Sequence, residues 1–375
     1  MDNLSFQNKL LRVTPHLYVI PVLIGVNLLV FISMSFVGTD TGIEASDSKL
    51  YLSWGGNFRP LTAGGEWWRL LTSAFLHVGF LHLLFNLWVL FEVGRLAERL
   101  YGNGYFVFIY LGSALIGSLS SILWYQQRIS VGASGAVFGV YGALIAYLII
   151  RRHTLPPFII RNLLIIAAMF IGISISYGLF QQGIDNAAHI GGLLGGFLLG
   201  IPLSRPLEPR FRSAHAGKRV LLAIAGLLSI TTVMASYVPK PLYDVQKELA
   251  FQDDIDWFRT QEETANTAYN RLIGEAKQGK LSEDQLADQL GTEVLMIWRS
   301  IVQRFSDRPL SKASPSFKAY QLTSEFSTLR RDALIALISS LRQRNPADFQ
   351  AFRAFQTKAE QLLEEMKQLA TEEPR

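Results

Sequence analysis

Three short stretches hold polar side chains whose types and spacing could do chemistry. His82 and Asn86 lie four residues apart, so on a helix they share a face, and both can donate hydrogen bonds to a common point. Ser134 sits in Gly132-Ala133-Ser134-Gly135, where the flanking glycines allow a tight turn into a helix with the hydroxyl accessible. His189 sits in Ala188-His189-Ile190-Gly191-Gly192. A serine, a base able to take its proton and two hydrogen-bond donors are the components of acyl transfer through a covalent intermediate. Taken singly, each has a plainer reading. His82 and Asn86 could join helices by hydrogen bonds, Ser134 could be a packing residue, and His189 could be a helix contact or a proton relay.

The elements that carry these residues are apolar. Of 375 residues, 50% are hydrophobic and 17% charged, against roughly 25% charged in an ordinary soluble domain. The charge is uneven. Residues 1–238 hold 16 Lys/Arg and 9 Asp/Glu, whereas residues 239–375 hold 19 and 21. The first part reads as membrane protein and the second as a near-neutral soluble domain, which excludes a single globular enzyme, a disordered scaffold and a nucleic-acid binder. Seven stretches approach the length of about 20 residues that a bilayer core requires: Leu17–Val37, Leu81–Tyr101, Tyr105–Tyr125, Ala133–Ile150, Leu163–Phe180, Ala187–Leu203 and Val220–Val238. The first lacks a cleavage site after it and reads as an uncleaved anchor. Small residues four apart, Gly135/Gly139 and Gly192/Gly196 among them, predict that the fourth and sixth spans pack closely.

Loop charge sets the orientation. Lys9, Arg12, Arg95, Arg99, Arg151, Arg152, Arg161, Arg205, Arg210, Arg212, Lys218 and Arg219 fall on one side, and Lys49, Arg59, Arg69 and Arg128 on the other. The richer side is predicted to be cytoplasmic, with the N-terminus inside and the C-terminal part outside. Even-numbered spans then run inward, so His82, Asn86, Ser134 and His189 all lie just below the outer surface. Asp185, one turn before His189, is expected at the surface, which favours a Ser–His dyad over a triad. Glu92 reads as the main carboxylate within a span, near its inner end. The external loop, about residues 38–80, holds Trp54, Trp67 and Trp68, and Trp67–Phe75 could lie in the headgroup plane.

In order and placement these pieces resemble the rhomboid family of intramembrane serine proteases. The matching residues are Trp68-Arg69, His77 with His82 and Asn86, Gly132-x-Ser134-Gly135, and Ala188-His189-x-x-Gly192-x-x-x-Gly196. The resemblance covers about residues 15–205. It implies an all-α polytopic membrane protein with a six-helix core and a seventh helix after it, cleaving peptide bonds in or beside transmembrane segments of other membrane proteins. It implies Ser134 as nucleophile and His189 as general base, with His82, Asn86 and the Ser134 backbone N–H at the oxyanion. Gly132 would leave space there, and Trp68 and Arg69 would build the first loop. Some family members carry tyrosine where this chain has Phe138, whose ring can still stack on the histidine. No cofactor and no metal are implied, and the setting is a multi-pass protein of the cell membrane.

The expected organisation is a short cytoplasmic N-terminus over 1–16, the core over 17–205, a basic loop and seventh helix over 206–238, and an extracytoplasmic helical domain over 239–375. In that last part, Leu322, Phe326, Leu329, Ala333, Leu337 and Leu341 recur at helical steps, and Ser282 before Glu283-Asp284-Gln285 reads as a helix start. Three to five helices are expected. Substrate capture, docking of a protein partner and a spacer role are all open for it. Two other functions compete with proteolysis. One is a non-proteolytic rhomboid-like protein that binds or escorts transmembrane clients. The other is a proton-coupled transporter, which the absence of repeat symmetry and of paired intramembrane carboxylates disfavours.

Overall fold

The computed structural model describes residues 3–40, 48–181, 183–208 and 215–372, and divides into two units, Met1–Pro241 and Leu242–Arg375. Arg210 and Arg212, counted in the loop charges, lie outside the described residues.

In the first unit the helices are α1 (Asn3–Val13), α2 (Val19–Asp40), α6 (Gly79–Tyr101), α7 (Asn103–Trp124), α8 (Ser134–Ile150), α9 (Pro157–Phe180), α10 (Asn186–Leu203) and α11 (Ala216–Ser236). Between α2 and α6 lie α3 (Ser48–Ser53), β1 (Asn57–Phe58), α4 (Arg59–Ala63) and α5 (Arg69–Thr72). All seven expected spans are helical. Six are long and apolar enough to cross a membrane, α11 among them, but the fourth is not. Helix α8 has 17 residues, about 26 Å at 1.5 Å per residue, short of a hydrocarbon core of about 30 Å. It is apolar all round because it is wrapped by protein, the pattern of a buried helix. Val137, Val140, Leu144 and Tyr147 are inaccessible or nearly so. Helices α9 and α11 are the reverse, with Ile159, Ala167 and Ala223 their only fully buried described residues.

Polar groups fasten the end of the bundle away from the dyad. Tyr101 Oη donates to the carbonyls of Ala143 (2.8 Å) and Gly200 (3.1 Å), bridging α8 and α10. Arg151, just past α8, donates to the Ser204 carbonyl at 2.6 Å and Oγ at 3.0 Å. The carboxylate that matters inside a span is Glu98 rather than Glu92. Glu92 is half exposed, with Arg95 at 4.0 Å. Glu98 is fully buried and accepts from the backbone N–H groups of Tyr18 (2.9 Å), Val19 (2.9 Å) and Ile20 (3.1 Å). A carboxylate on the end of α6 thus caps α2, satisfying donors that a helix start leaves orphaned and placing negative charge at the positive end of the dipole. Before it, α1 buries Phe6 and Leu10 in the same core, an element with no counterpart in the sequence reading.

The loop after α2 is folded. Arg69 is buried and donates to the carbonyls of Leu52 (2.6 Å) and Gly56 (3.1 Å), with Glu66 at 2.7 Å. Asn57 Nδ2 donates to the Ser118 carbonyl on α7 at 2.9 Å. Trp67, Trp68 and Leu71 remain exposed, on and before α5. The expected interfacial segment is therefore two short pieces, α5 and a 3₁₀ turn over Ser73–Phe75.

The second unit contains α12 (Val245–Lys277), α13 (Glu283–Gln289), a π-helical turn over Leu290–Leu295, α14 (Met296–Asp307), α15 (Phe317–Gln343) and α16 (Pro346–Glu372). Ser282 and Gln285 form a capping box at the predicted helix start. Trp298, Phe258, Phe305 and Phe326 meet edge to face in its core. Asp254, almost fully buried, accepts from Arg304 (2.6 Å) and Arg308 (3.1 Å). The stripe on α15 faces inward as its spacing predicts, with Leu322, Phe326, Ala333 and Leu337 buried.

Candidate active site

Ser134 is the first residue of α8, and a short antiparallel pairing delivers it there. Strand β2 (Ile129–Ser130) pairs with β1, Ser130 opposite Asn57. The chain then turns at Gly132, whose φ of +130° is one that side-chain-bearing residues rarely adopt. The Gly132 N–H donates to the Ser73 carbonyl at 2.9 Å, and the Ala133 N–H donates to His77 Nε2 at 3.4 Å. The turn is thus held from the first loop on one side and from the histidine preceding α6 on the other.

His189 lies in the first turn of α10. Its Nε2 is 2.8 Å from Ser134 Oγ, a distance at which a proton can pass between them. The imidazole stacks on Phe138 with centroids 4.3 Å apart and planes 3° from parallel, as expected of a ring at that position. Phe138 also packs against Phe170 of α9.

Glycine permits the approach. A Cβ on Gly192 or Gly196 would fall on the carbonyl oxygen of Gly135 or Gly139 respectively, and one on Gly135 would press on the Ala188 carbonyl at 3.3 Å. Helices α8 and α10 therefore meet backbone to backbone along the seam whose first turns carry Ser134 and His189.

The remaining predicted residues divide into those beside the dyad and those that frame it. The His82 ring is beside it, since a Cβ on Gly132 would lie 2.9 Å from His82 Cε1. His77 is buried, with its ring 5.2 Å from that of His82. Asn86 is buried on α6 and donates one Nδ2 hydrogen to the His82 carbonyl at 2.9 Å, leaving a second N–H on the same amide. Trp68 and Arg69 are framing residues. Arg69 knits the loop together, and its guanidinium lies 4.7 Å from the Trp68 ring centroid.

Four further residues fasten the site: Ser73, Arg128 and Asn186, to which the sequence gives no role here, and Asp185, which it places at the surface. The Ser73 carbonyl holds Gly132. Arg128 donates to the Ile184 carbonyl at 2.9 Å. Asn186 donates to the Ile175 carbonyl of α9 at 3.1 Å. Asp185 is the N-cap of α10 and only partly exposed, with one carboxylate oxygen buried, rather than lying at the surface. An aspartate just before an apolar helix is a capping signal; the other three act across long sequence separations that leave no local trace. Among the described residues no His, Asp and Glu side chains cluster as metal ligands would.

Comparison with known proteins agrees with this arrangement. The family model described as the rhomboid domain matches residues 64–206. The chain is 38% identical over 201 residues to the rhomboid protease GluP of Bacillus subtilis (strain 168), covering 54% of this chain and 37% of that one. It is 35% identical over 150 residues to the putative rhomboid protease YdcA of the same organism, covering 40% of this chain and 73% of that one. It is 36% identical over 181 residues to the rhomboid protease AarA of Providencia stuartii, covering 42% of this chain and 63% of that one. The chain thus spans less than two thirds of the length of GluP and of AarA. With a hydrogen-bonded serine–histidine pair at the head of a glycine seam, and an identity of 35% across 73% of YdcA, the chain belongs to the rhomboid family.

Proposed function

We propose that this protein is an intramembrane serine endopeptidase that cuts peptide bonds in or near transmembrane segments of membrane-protein substrates. The observation that carries the reading is the 2.8 Å contact between Ser134 Oγ and His189 Nε2, at the head of two helices in backbone contact. Ser134 Oγ attacks the scissile carbonyl carbon as its proton passes to His189 Nε2. The tetrahedral oxyanion is met by the Ser134 backbone N–H, the His82 ring and the free N–H of Asn86, with the start of α8 adding its dipole. Gly132, lacking a side chain, leaves that space open. His189 then gives its proton to the leaving nitrogen, the C–N bond breaks, and an ester to Ser134 remains. Water attacks that ester as His189 takes a proton from it. The C–O bond breaks, and the proton returns to Ser134.

The family's six-plus-one arrangement is part of the proposal, with α8 as the short central span and α11 as the seventh. In this reading residues 1–16 are a cytoplasmic N-terminus, 17–205 the protease core, 206–238 a basic loop and last span, and 239–375 an extracytoplasmic domain open to a protein partner. The loop-charge imbalance supports the topology, and a cell membrane is the setting.

The test is cleavage of a generic transmembrane substrate in liposomes by wild type, Ser134→Ala and His189→Ala. Wild type should cut, and each variant should lose about 10⁴-fold or more while staying folded. A folded wild type that neither cuts nor reacts at Ser134 with a fluorophosphonate points to client binding instead. Cutting that survives Ser134→Ala refutes the mechanism.

A further inference from the structure

His189 Nδ1 and, one turn earlier in the chain, Asp185 Oδ2 are both buried with no hydrogen-bond partner among the described residues. Asp185 caps α10. Its Oδ1 accepts from the Ala188 N–H at 2.9 Å, and its carbonyl accepts from the His189 N–H at 3.1 Å. Cap and base are one helical turn apart on the same face. The neighbouring Ile184 carbonyl accepts from Arg128, whose guanidinium lies 4.1 Å from the Tyr125 ring centroid. That bond joins the segment entering α8 to the segment entering α10.

A helix cap needs one side-chain oxygen, and serine or asparagine serves as well as aspartate. Here the second oxygen is buried and unpaired, an arrangement that costs stability and that a serine cap, with its single oxygen, would avoid. What aspartate adds is a fixed negative charge one turn from His189. In a water-poor site such a charge favours the imidazolium that forms when Ser134 gives up its proton. The other titratable groups facing His189 are Ser134 on α8 and His82 on α6, with His77 behind His82. Helix α7 carries no charged side chain. Arg161 of α9, and Lys218 and Arg219 of α11, lie near the starts of their helices, at the end of α10 remote from His189.

We propose that Asp185 is a positioning residue of the dyad: its cap holds His189 against Ser134, and its charge stabilises the imidazolium in both half-reactions. The transferred proton stays on His189 and does not pass to Asp185. The inference rests on the serine-protease reading above.

The test uses the full chain in liposomes with a transmembrane substrate, comparing wild type, Asp185→Asn, Asp185→Glu and Asp185→Ala. Asn keeps the cap and removes the charge. Its kcat should fall about ten-fold, with KM within about two-fold. Its acid-side half-maximum should move to lower pH, because the base has lost the charge that favours its protonated form. Glu should restore the wild-type pH profile, and Ala should lose more rate than Asn. Fluorophosphonate labelling of Ser134 should slow in step with kcat, and thermal melts of each variant separate these effects from unfolding. An Asn variant with wild-type kcat and pH profile overturns the proposal. So do equal losses in Asn and Ala with an unmoved profile, which would mean a capping effect alone. A wild type that neither cuts nor labels overturns the protease reading instead, and this role with it.

Discussion

The two units of the chain handle buried polar groups in opposite ways. In the membrane unit Glu98 is satisfied by three backbone N–H groups, and Arg69 by two backbone carbonyls together with Glu66. In the C-terminal unit Asp254 is satisfied by Arg304 and Arg308, side chains that themselves reach solvent. Glycine differs likewise. Along α8 and α10 it is where two backbones touch, whereas around Gly274 and Gly291 a Cβ would meet nothing within 4 Å. The lesson concerns solvent. Where lipid replaces water, an unmet N–H or carbonyl is expensive, so polar side chains are used to complete backbones and shape comes from backbone contact. Where water is near, side chains pair with each other and apolar rings fill the core.

The sharpest way to break this comparison is to remove each buried carboxylate. Glu98→Ala should cost about 3–5 kcal/mol, because three N–H groups lose one charged acceptor together. Asp254→Ala should cost about 1–3 kcal/mol, since both arginines can turn outward. Denaturation of the full chain in detergent measures both, and equal costs would refute the distinction. Next in size is Gly192→Ala, which drives a methyl into the Gly135 carbonyl. A displacement of about 1 Å between the dyad members should lower kcat about 100-fold, read as the rate of substrate cleavage. The same exchange at Gly274, inside α12 with open space around it, should instead stabilise by about 0.5–1 kcal/mol, seen as a higher unfolding midpoint.

The smallest effect is a pH dependence. Burial pushes the Glu262 carboxyl above its ordinary value of 4.5, with Arg330 and Asn266 pulling the other way. A carboxyl raised in the folded state holds its proton better folded than unfolded. Its contribution is therefore fully present below the unfolded pKa and is lost as pH rises through the folded one. Glu262→Gln should then gain on wild type in thermal midpoint as pH rises from about 4 to 7. A constant difference across that range would show that the carboxyl is not perturbed.

How much of this was legible in the sequence depends on how far apart the interacting residues are. The spans could be read because apolarity is a local property, and the α8–α10 seam because its glycines recur every four residues. The pairing of Ser134 with His189 could be anticipated because each opens a helix within a glycine-flanked motif. The first loop could not. Arg69 reaches carbonyls that precede it by 17 and 13 residues, and no spacing announces that. In the sequence Glu92 reads as the main carboxylate within a span. The structure gives that place to Glu98, whose partners lie at the start of α2. Asp185 was legible as a cap and misread as exposed, since exposure depends on the loop from Arg128 packed beside it.

The link between Glu98 and α2 has a consequence for how the protein is made. The start of α2 is synthesised about 80 residues before Glu98. During that interval the start of α2 has no Glu98 carboxylate to meet its N–H groups, which water in the headgroup layer must meet instead. Arrival of α6 exchanges water for carboxylate and fixes the depth of α2 after the fact. Insertion and final placement are thus separate events in the life of the nascent chain, and the second waits on a residue that the first has not yet seen.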